Sequence, residues 1–459
     1  VSDEFDVVVL GGGPGGYATA LRASQLDLSV ALVEKDKVGG TCLHRGCIPT
    51  KALLHAGEVA DATREAAQFG VRAELGGVDM AGLNGYKDGV VAKGYRGLQG
   101  LLKAAGTTVV EGEGKLTAPN SVAVAGRTLT AGRAVVLATG SYSKTLPGLE
   151  IDGERVITSE HALKLEKLPA SVVVLGGGII GCEFASAWRS FGVEVTIVEA
   201  LPRLLATEDE DSSKQLARAF RRRGITSKVD KPFEKVEHID GGVRVAVAGG
   251  ETIEAELLLV AVGRGAVTEG VGYDEQGVTM ERGFVRTDER LRTNLPDVYA
   301  IGDIVPGPQL AHRGFGHGIF VAEQIAGLNP PVIDEAGIPR VTYCDPEVAS
   351  VGLTEAQARE RYGADRISTY TYQLGGNLKS NILKTQGAVK LVRVADGPVV
   401  GLHMVGSRVS ELVGEAQLIY NWEAYPADVA QLVHMHPTQG EALGEAHLAL
   451  TGKPLHVHD

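Results

Sequence analysis

The run Val7-Val8-Val9-Leu10 is apolar at every position and breaks off at Gly11-Gly12-Gly13. A short, β-branched run without alternation predicts a strand buried on both faces. Beyond the glycines the period changes. Residues 17–26 set small and apolar side chains at helical spacing, and residues 30–33 return to a β-rich run that leads into Glu34. The letters Val-Val-Val-Leu-Gly-Gly-Gly then recur unchanged, 165 residues downstream, at 172–178. A helix-like stretch (183–191) and a β-rich run (193–198) follow again, leading into Glu199. Strand, helix and strand in this order, twice, predict an α/β fold. Towards the end of the chain, strands are expected at 387–394 and 399–405 and helices at 410–425 and 439–450. Leu418, Ile419 and Trp422 fall at helical spacing and read as core or as a face covered by a second copy of the chain.

The glycines give these units a chemistry. Gly11, Gly13 and Gly16 have the G-x-G-x-x-G spacing, as do Gly176, Gly178 and Gly181. The first glycine permits the tight strand-to-helix turn. The second lets the backbone approach a pyrophosphate, and the third lets helix pack close to sheet. The helix N-terminus offers its free N–H groups to the phosphates. Glu34 and Glu199 each stand 23 positions after the first glycine of their motif, where a carboxylate accepts hydrogen bonds from ribose hydroxyls. A 2′-phosphate would be repelled there, so Glu199 favours NAD over NADP. Two such units imply two dinucleotides, and the simple reason to hold two is electron transfer between a flavin and a nicotinamide.

Composition narrows the setting. Across 459 residues the net charge is −12, which argues against a nucleic-acid role and a polybasic membrane role. Arg221, Arg222 and Arg223 read as the solvated end of a helix. No apolar run reaches the roughly 18 residues that span a bilayer. The start, Val1-Ser2-Asp3-Glu4-Phe5, lacks the pattern of a signal or transit peptide. A cytoplasmic protein is the expectation, although a processed organelle protein would look the same. Four cysteines are too few for a secreted disulfide scaffold. Cys182 and Cys344 read as buried, inert thiols.

Cys42 and Cys47 stand apart, in Gly39-Gly40-Thr41-Cys42-Leu43-His44-Arg45-Gly46-Cys47-Ile48-Pro49-Thr50-Lys51. Positions five apart in a regular helix lie roughly 8–9 Å apart, beyond the ~6.8 Å limit of a disulfide. A bond would need a distorted turn, which Gly46 could allow. Arg45 and a helix N-terminus would lower a thiolate pKa. The pair reads either as redox-active or as two free buried thiols. No second Cys or His pair stands at a zinc-site distance.

The segment resembles the G-G-T-C-x-x-x-x-G-C-[IV]-P motif of the class I pyridine-nucleotide disulfide oxidoreductases, and the resemblance runs through nearly the whole chain. Ala138-Thr139-Gly140 and Tyr299-Ala300-Ile301-Gly302-Asp303 resemble further FAD segments, Gly181-Cys182-Glu183-Phe184 the nicotinamide helix, and His434-Met435-His436-Pro437-Thr438 the C-terminal active-site motif. The resemblance implies two Rossmann-like domains, for FAD and NAD, and a C-terminal α/β dimerisation domain. Their expected bounds are 1–145 (FAD), 150–270 (NAD), 271–343 (a central segment completing the FAD site) and 344–459 (the interface). It implies that Cys42 meets the substrate and Cys47 the flavin. Lys51 would reach the flavin and pair with Glu183, and Asp303 would bind the ribityl chain. Gly40, Thr41, Gly114, Thr139, Gly140, Gly263 and Ala311 fall at further cofactor contacts. His436, oriented by Glu441, would be the acid/base, supplied across a homodimer interface. From the residues alone His436 is an ordinary exposed or capping histidine, and Thr438 could cap the helix that follows.

Within that family several features point to the branch that oxidises dihydrolipoyl groups: Glu199, a C-terminus without cysteine, the single Lys51 after Pro49-Thr50, and Leu310-Ala311-His312. The expected partner is a lipoylated carrier protein, or the acyltransferase of a 2-oxo acid dehydrogenase complex. The alternatives are an NADH-dependent reductase of another small disulfide, and a docking subunit with vestigial redox chemistry. Three departures stand out. His44-Arg45 replaces the common Asn-Val, Gly265-Ala266-Val267 the common Pro-Asn after Arg264, and His317 an acid or amide.

Overall fold

The computed structural model describes residues 2–456; Val1 and residues 457–459, part of the two terminal segments read above, lie outside the described residues. The run at Val7 is the centre of a seven-stranded sheet. Its order is Thr108–Glu111, Val30–Glu34, Ser2–Leu10, Arg127–Leu137, Ser121–Val124 and Gly114–Ala118, with Val298–Ala300 also on Arg127–Leu137. The first four strands run parallel and Val298–Ala300 joins them in parallel, while the hairpin 114–124 is antiparallel. Val7, Val8 and Val9 are each 0 % exposed, as a strand covered on both faces requires.

The second copy builds an all-parallel sheet in the order Thr226–Lys228, Glu194–Val198, Ser171–Leu175, Leu257–Val260, Val156–Ile157. A separate antiparallel sheet of Phe233–Ile239, Gly242–Val247 and Glu251–Ala255 packs beside it. The C-terminal sheet is antiparallel throughout, in the order Arg340–Thr342, Glu347–Gly352, Val399–Gly406, Ala388–Val394, Ile367–Gln373. Helices Val409–Asn421 and Glu441–Leu450 cover it.

Helix starts differ from the apolar pattern for a physical reason. The helices after the two glycine turns are Pro14–Gln25 and Ile179–Ser190, each beginning three or four residues before the pattern at 17 and 183. The first turn of Pro14–Gln25 contains Gly15 and Gly16, which carry no apolar signal although they are helical here. The helix expected at 410–425 ends at Asn421, and Glu423 takes a left-handed φ of 52°. Ile419 is core, whereas Leu418 and Trp422 remain 48 % and 75 % exposed.

The helix Cys47–Glu65 packs where the three parts meet. Leu53 and Leu54 share one core with Phe184 and Trp188 of helix Ile179–Ser190 and with Cys344, Val348 and Val405 of the C-terminal part. Burying each large apolar side chain contributes about 1.5–3 kcal/mol. Gly57 lets the two helices approach, since a Cβ there would lie 3.1 Å from the Ser190 Cβ. Among the described residues no helix is long and apolar enough to cross a membrane.

Candidate functional site: two glycine cradles and a dithiol

The two copies match in atomic detail. Gly11 has φ +109° and Gly176 φ +110°, and a Cβ on either would strike a carbonyl oxygen, of Ala138 at 2.2 Å or Ala261 at 2.3 Å. A Cβ on Gly16 would sit 1.7 Å from the Gly11 oxygen, and one on Gly181 1.9 Å from the Gly176 oxygen. Gly13 and Gly178, by contrast, face open space, and each caps its helix with no side-chain hydrogen bond. The first N–H groups of both helices are therefore free for an anion. Each acid is pinned by backbone. Glu34 accepts from the N–H of Gly12 (2.8 Å) and of Asp36 (2.9 Å); Glu199 accepts from Gly177 (2.6 Å) and Leu201 (2.7 Å). This is a fixed carboxylate beside a phosphate cradle, and it fits a dinucleotide at both places.

The cysteine segment grows out of the first cradle. Gly39 donates its N–H to Gly12 O at 2.8 Å, and a Cβ on Gly40 would lie 2.8 Å from the Gly13 Cα. The helix breaks at Gly46 (φ −139°, ψ −111°), so Cys42 lies in Gly40–Arg45 and Cys47 opens Cys47–Glu65. The break brings the two thiols into a side-chain hydrogen bond. That bond, outweighing burial and joined by the charge of Lys51, lowers the Cys47 thiol to about 7, while the same bond and burial push Cys42 up. Negative charge thus settles on Cys47. The expectation that Arg45 would supply this charge is corrected: Arg45 pairs with Asp36 at 3.2 Å, and Lys51 is the cation that lowers the Cys47 thiol. His44 bonds the Val38 carbonyl at 2.9 Å and lies edge-on to Tyr95.

Lys51 Nζ lies 2.9 Å from both oxygens of Glu183, whose side chain is only 3 % exposed. This pair ties the cysteine helix to the helix of the second cradle. Two residues missed in the sequence surround it. Tyr343 donates its N–H to Glu183 at 3.0 Å and places its ring 4.7 Å from the ammonium. Arg223 is not solvated. It caps helix Glu210–Arg222 and folds inward, donating to Ser186 Oγ (2.7 Å), Ser190 Oγ (2.7 Å), Asp61 (3.0 Å) and the Asp345 carbonyl (2.8 Å); Arg221 and Arg222 are exposed as expected. The apolar and polar letters around Arg223 give no signal of this, because its partners are distant in sequence.

Further candidates cluster above the first sheet. Ser141 Oγ donates to Asp303 at 2.5 Å, and Arg264 donates to Ser141. Thr139 Oγ1 donates to Val267 O at 2.6 Å and meets the buried Tyr273 hydroxyl at 2.9 Å. Gly140 accepts from Val267 N–H at 2.8 Å and Gly263 from Lys144 N–H at 3.0 Å, both with open space where a Cβ would be. Gly114 leaves no room for a side chain, since a Cβ there would meet Leu10 at 2.5 Å and Val33 at 2.8 Å. Ala311 opens helix Ala311–Ile325, which crosses Pro14–Gln25 so closely that a Cβ on Gly318 would lie 2.5 Å from Gly15 O. Thr41 is half-buried, and its carbonyl lies 3.0 Å from where a Gly46 Cβ would be.

His436 Nδ1 lies 2.8 Å from Glu441 Oε1, and the other Glu441 oxygen accepts from Thr438 N–H at 2.8 Å. Burial works to raise the Glu441 carboxyl, but these hydrogen bonds hold it below its ordinary range. Thr438 does not cap the last helix. Gly440 holds the N-cap position of Glu441–Leu450, and the Thr438 hydroxyl donates to Met435 O. The His436 side chain is 62 % exposed. Among the described residues no hydrogen bond or ion pair joins it to Cys42 or Cys47. It projects beside Val433 and Met435, which are 97 % and 76 % exposed.

Two dinucleotide cradles tied together through a dithiol helix define a two-nucleotide thiol–disulfide oxidoreductase. The chain belongs to the pyridine nucleotide-disulphide oxidoreductase family, which it matches over residues 5–318, with that family's dimerisation domain over residues 338–447. The cofactors of this family, FAD and NAD, are those of the chain. The chain is 40 % identical to the dihydrolipoyl dehydrogenase of Bacillus subtilis, covering 99 % of this chain and 100 % of that one. It is 38 % identical to the mitochondrial dihydrolipoyl dehydrogenase of Pisum sativum, covering 99 % and 93 %. In structure it is similar to LpdA from Mycobacterium tuberculosis, with a TM-score of 0.90 at 25 % identity over 98 % and 99 % of the two chains.

Proposed function

We propose that the chain is a dihydrolipoyl dehydrogenase, oxidising dihydrolipoyl groups carried on a protein and passing the electrons to NAD⁺. The observation that carries this reading is the Cys42–Cys47 pair, seated on the first cradle and linked through Lys51–Glu183 to the second. The reaction balances as follows. The dithiol of the dihydrolipoyl group exchanges with a Cys42–Cys47 disulfide, giving a lipoyl disulfide and a Cys42–Cys47 dithiol. His436 of a second copy, held by Glu441, takes a proton from the attacking thiol. The attacking sulfur forms a mixed disulfide with Cys42 and releases Cys47 as thiolate; the second dihydrolipoyl sulfur then closes the lipoyl disulfide and releases Cys42, which leaves as the protonated thiol, in agreement with the opposite shifts of the pair. FAD in the first cradle supplies the two-electron carrier between the thiols and NAD⁺ in the second.

The chain's own groups account for the rest. Gly11, Gly13 and Gly16 hold one pyrophosphate and Gly176, Gly178 and Gly181 the other. Glu34 and Glu199 take the ribose hydroxyls, and Asp303 binds the flavin nucleotide's polyol. The exposed face at 418–436 pairs two copies and brings His436 to the partner's cysteines. The test is anaerobic reduction of the purified FAD-loaded protein with dihydrolipoamide, followed by NAD⁺. A long-wavelength thiolate–flavin band followed by NADH is the expected result. A band with NADH but none with dihydrolipoamide leaves the thiol roles and replaces the substrate with another disulfide.

A further inference from the structure

Tyr343 sits between strands Arg340–Thr342 and Glu347–Gly352 of the C-terminal sheet. It touches both members of the Lys51–Glu183 pair by different means. Its backbone N–H reaches Glu183 Oε1 at 3.0 Å, the same oxygen that Lys51 meets at 2.9 Å. Its ring lies 4.7 Å from the Lys51 ammonium. The segment is anchored on both sides: the Asp345 N–H donates to Ser186 Oγ at 2.9 Å, and Arg223 bridges the Asp345 carbonyl to Asp61 of the cysteine helix. We propose that Tyr343 is a positioning residue, whose ring holds the Lys51 ammonium towards Cys47. The seating of the C-terminal part on the two helices thereby sets the charge beside the redox thiol. The proposal rests on the reading of Cys47 as the thiol that meets the flavin.

The argument is one of freedom and hydration. Lys51 is a flexible stem with a point charge, and 32 % of its side chain is in water. Glu183 is buried and fixed, but a carboxylate alone lets an ammonium swing around it. The ring closes one side, attracts the cation through its quadrupole and keeps water from it. The charged and titratable groups whose electrostatics couple to Cys47 are Cys42 and Lys51, Tyr17 of helix Pro14–Gln25, Glu183 of helix Ile179–Ser190 and Arg264 of strand Arg264–Ala266. Of these, the Tyr343 side chain touches Lys51. A substitution at 343 keeps the backbone bond to Glu183 and removes the ring, so it isolates the ring's part.

The test uses the full chain with FAD bound, reduced anaerobically by two electrons with dithiothreitol. The thiolate–flavin absorbance is titrated against pH in wild type, Tyr343→Phe and Tyr343→Leu. In Tyr343→Leu the midpoint rises by about half a pH unit, and in Tyr343→Phe, which keeps the ring, it stays at the wild-type value. A Tyr343→Leu protein with full FAD content and a wild-type midpoint overturns the proposal, as does a Tyr343→Phe protein that shifts as far as Tyr343→Leu. If Tyr343→Leu does not retain FAD, Tyr343→Met, nearer to tyrosine in length, is read by the same two outcomes. A wild type with no band under any reductant overturns the thiol assignment itself, which separates that failure from this one.

Discussion

The imidazole of His317 accepts the backbone N–H of Gly302 at 3.3 Å and so holds the loop that presents Asp303. Its other nitrogen lies 3.1 Å from Glu335, and Arg313 donates to the same carboxylate and to the Gly302 carbonyl. Both polar groups of Gly302 are thus held from helix Ala311–Ile325. Burial lowers the His317 pKa, so the ring is neutral at physiological pH, with Nδ1 accepting and Nε2–H donating.

This clamp has a pH signature. Burial tends to raise the Glu335 carboxyl, but the His317 and Arg313 bonds outweigh it and hold it at about 2, against 4.5 when free. A carboxyl depressed on folding stabilises the fold fully above its unfolded pKa, and that contribution fades as pH falls through the folded value. Glu335→Gln should therefore be less stable than wild type above pH 4.5, with the gap closing between 4.5 and about 2. Thermal unfolding of both proteins across that window checks it. A gap that is constant with pH would show that the carboxylate charge contributes nothing.

The two cradles can be disabled separately. A methyl on Gly181 would lie 1.9 Å from the Gly176 oxygen, so Gly181→Ala must push helix from strand at the second site. That protein should purify yellow and be reduced by dihydrolipoamide, yet form NADH poorly at ordinary NAD⁺ concentrations, with a KM for NAD⁺ raised about tenfold or more. Gly16→Ala, at 1.7 Å from the Gly11 oxygen, should lose FAD instead. Flavin absorbance per chain and NAD⁺ titration distinguish the two.

Glu199 should decide the nicotinamide nucleotide. Its carboxylate is fixed by the N–H groups of Gly177 and Leu201, so it cannot turn away from a 2′-phosphate. Wild type should prefer NAD⁺ over NADP⁺ by about 100-fold or more in kcat/KM, and Glu199→Gln should reduce that ratio by about tenfold by removing the charge while keeping an acceptor. Steady-state rates with both nucleotides measure it, and an unchanged ratio would move the selectivity elsewhere.

The parts of this arrangement that were legible from the residues alone, without the family resemblance, share one property. They are set by local backbone geometry. Gly11 and Gly176 require a left-handed φ and a close carbonyl, and the spacing to Gly16 and Gly181 is fixed by one helical turn, so letters alone locate them. The cysteine pair was legible through Gly46, whose break was needed to bring two thiols together. Arg223 was misread and Tyr343 overlooked because their roles arise where three parts of the chain converge, at separations of more than a hundred residues. Arg45 was credited with a charge effect that belongs to Lys51, because adjacency in sequence says nothing about the direction of a side chain that has Asp36 to pair with.

The His436–Glu441 pair carries the last prediction. At 2.8 Å, Glu441 fixes one ring nitrogen and leaves the other free to take a proton. His436→Gln removes the base and should lower kcat/KM for dihydrolipoamide by about 10²–10⁴, the range of a positioned general base. Glu441→Gln keeps a hydrogen-bond acceptor but not the charge, and should cost less. The decisive comparison mixes His436→Gln chains with Cys42→Ser chains, each inactive alone. If one copy's histidine serves the other's cysteines, the mixed dimer holds one intact site and regains activity, up to about a quarter of wild type per chain after random exchange. If histidine and cysteines act within one chain, each chain still lacks one of them and no activity returns.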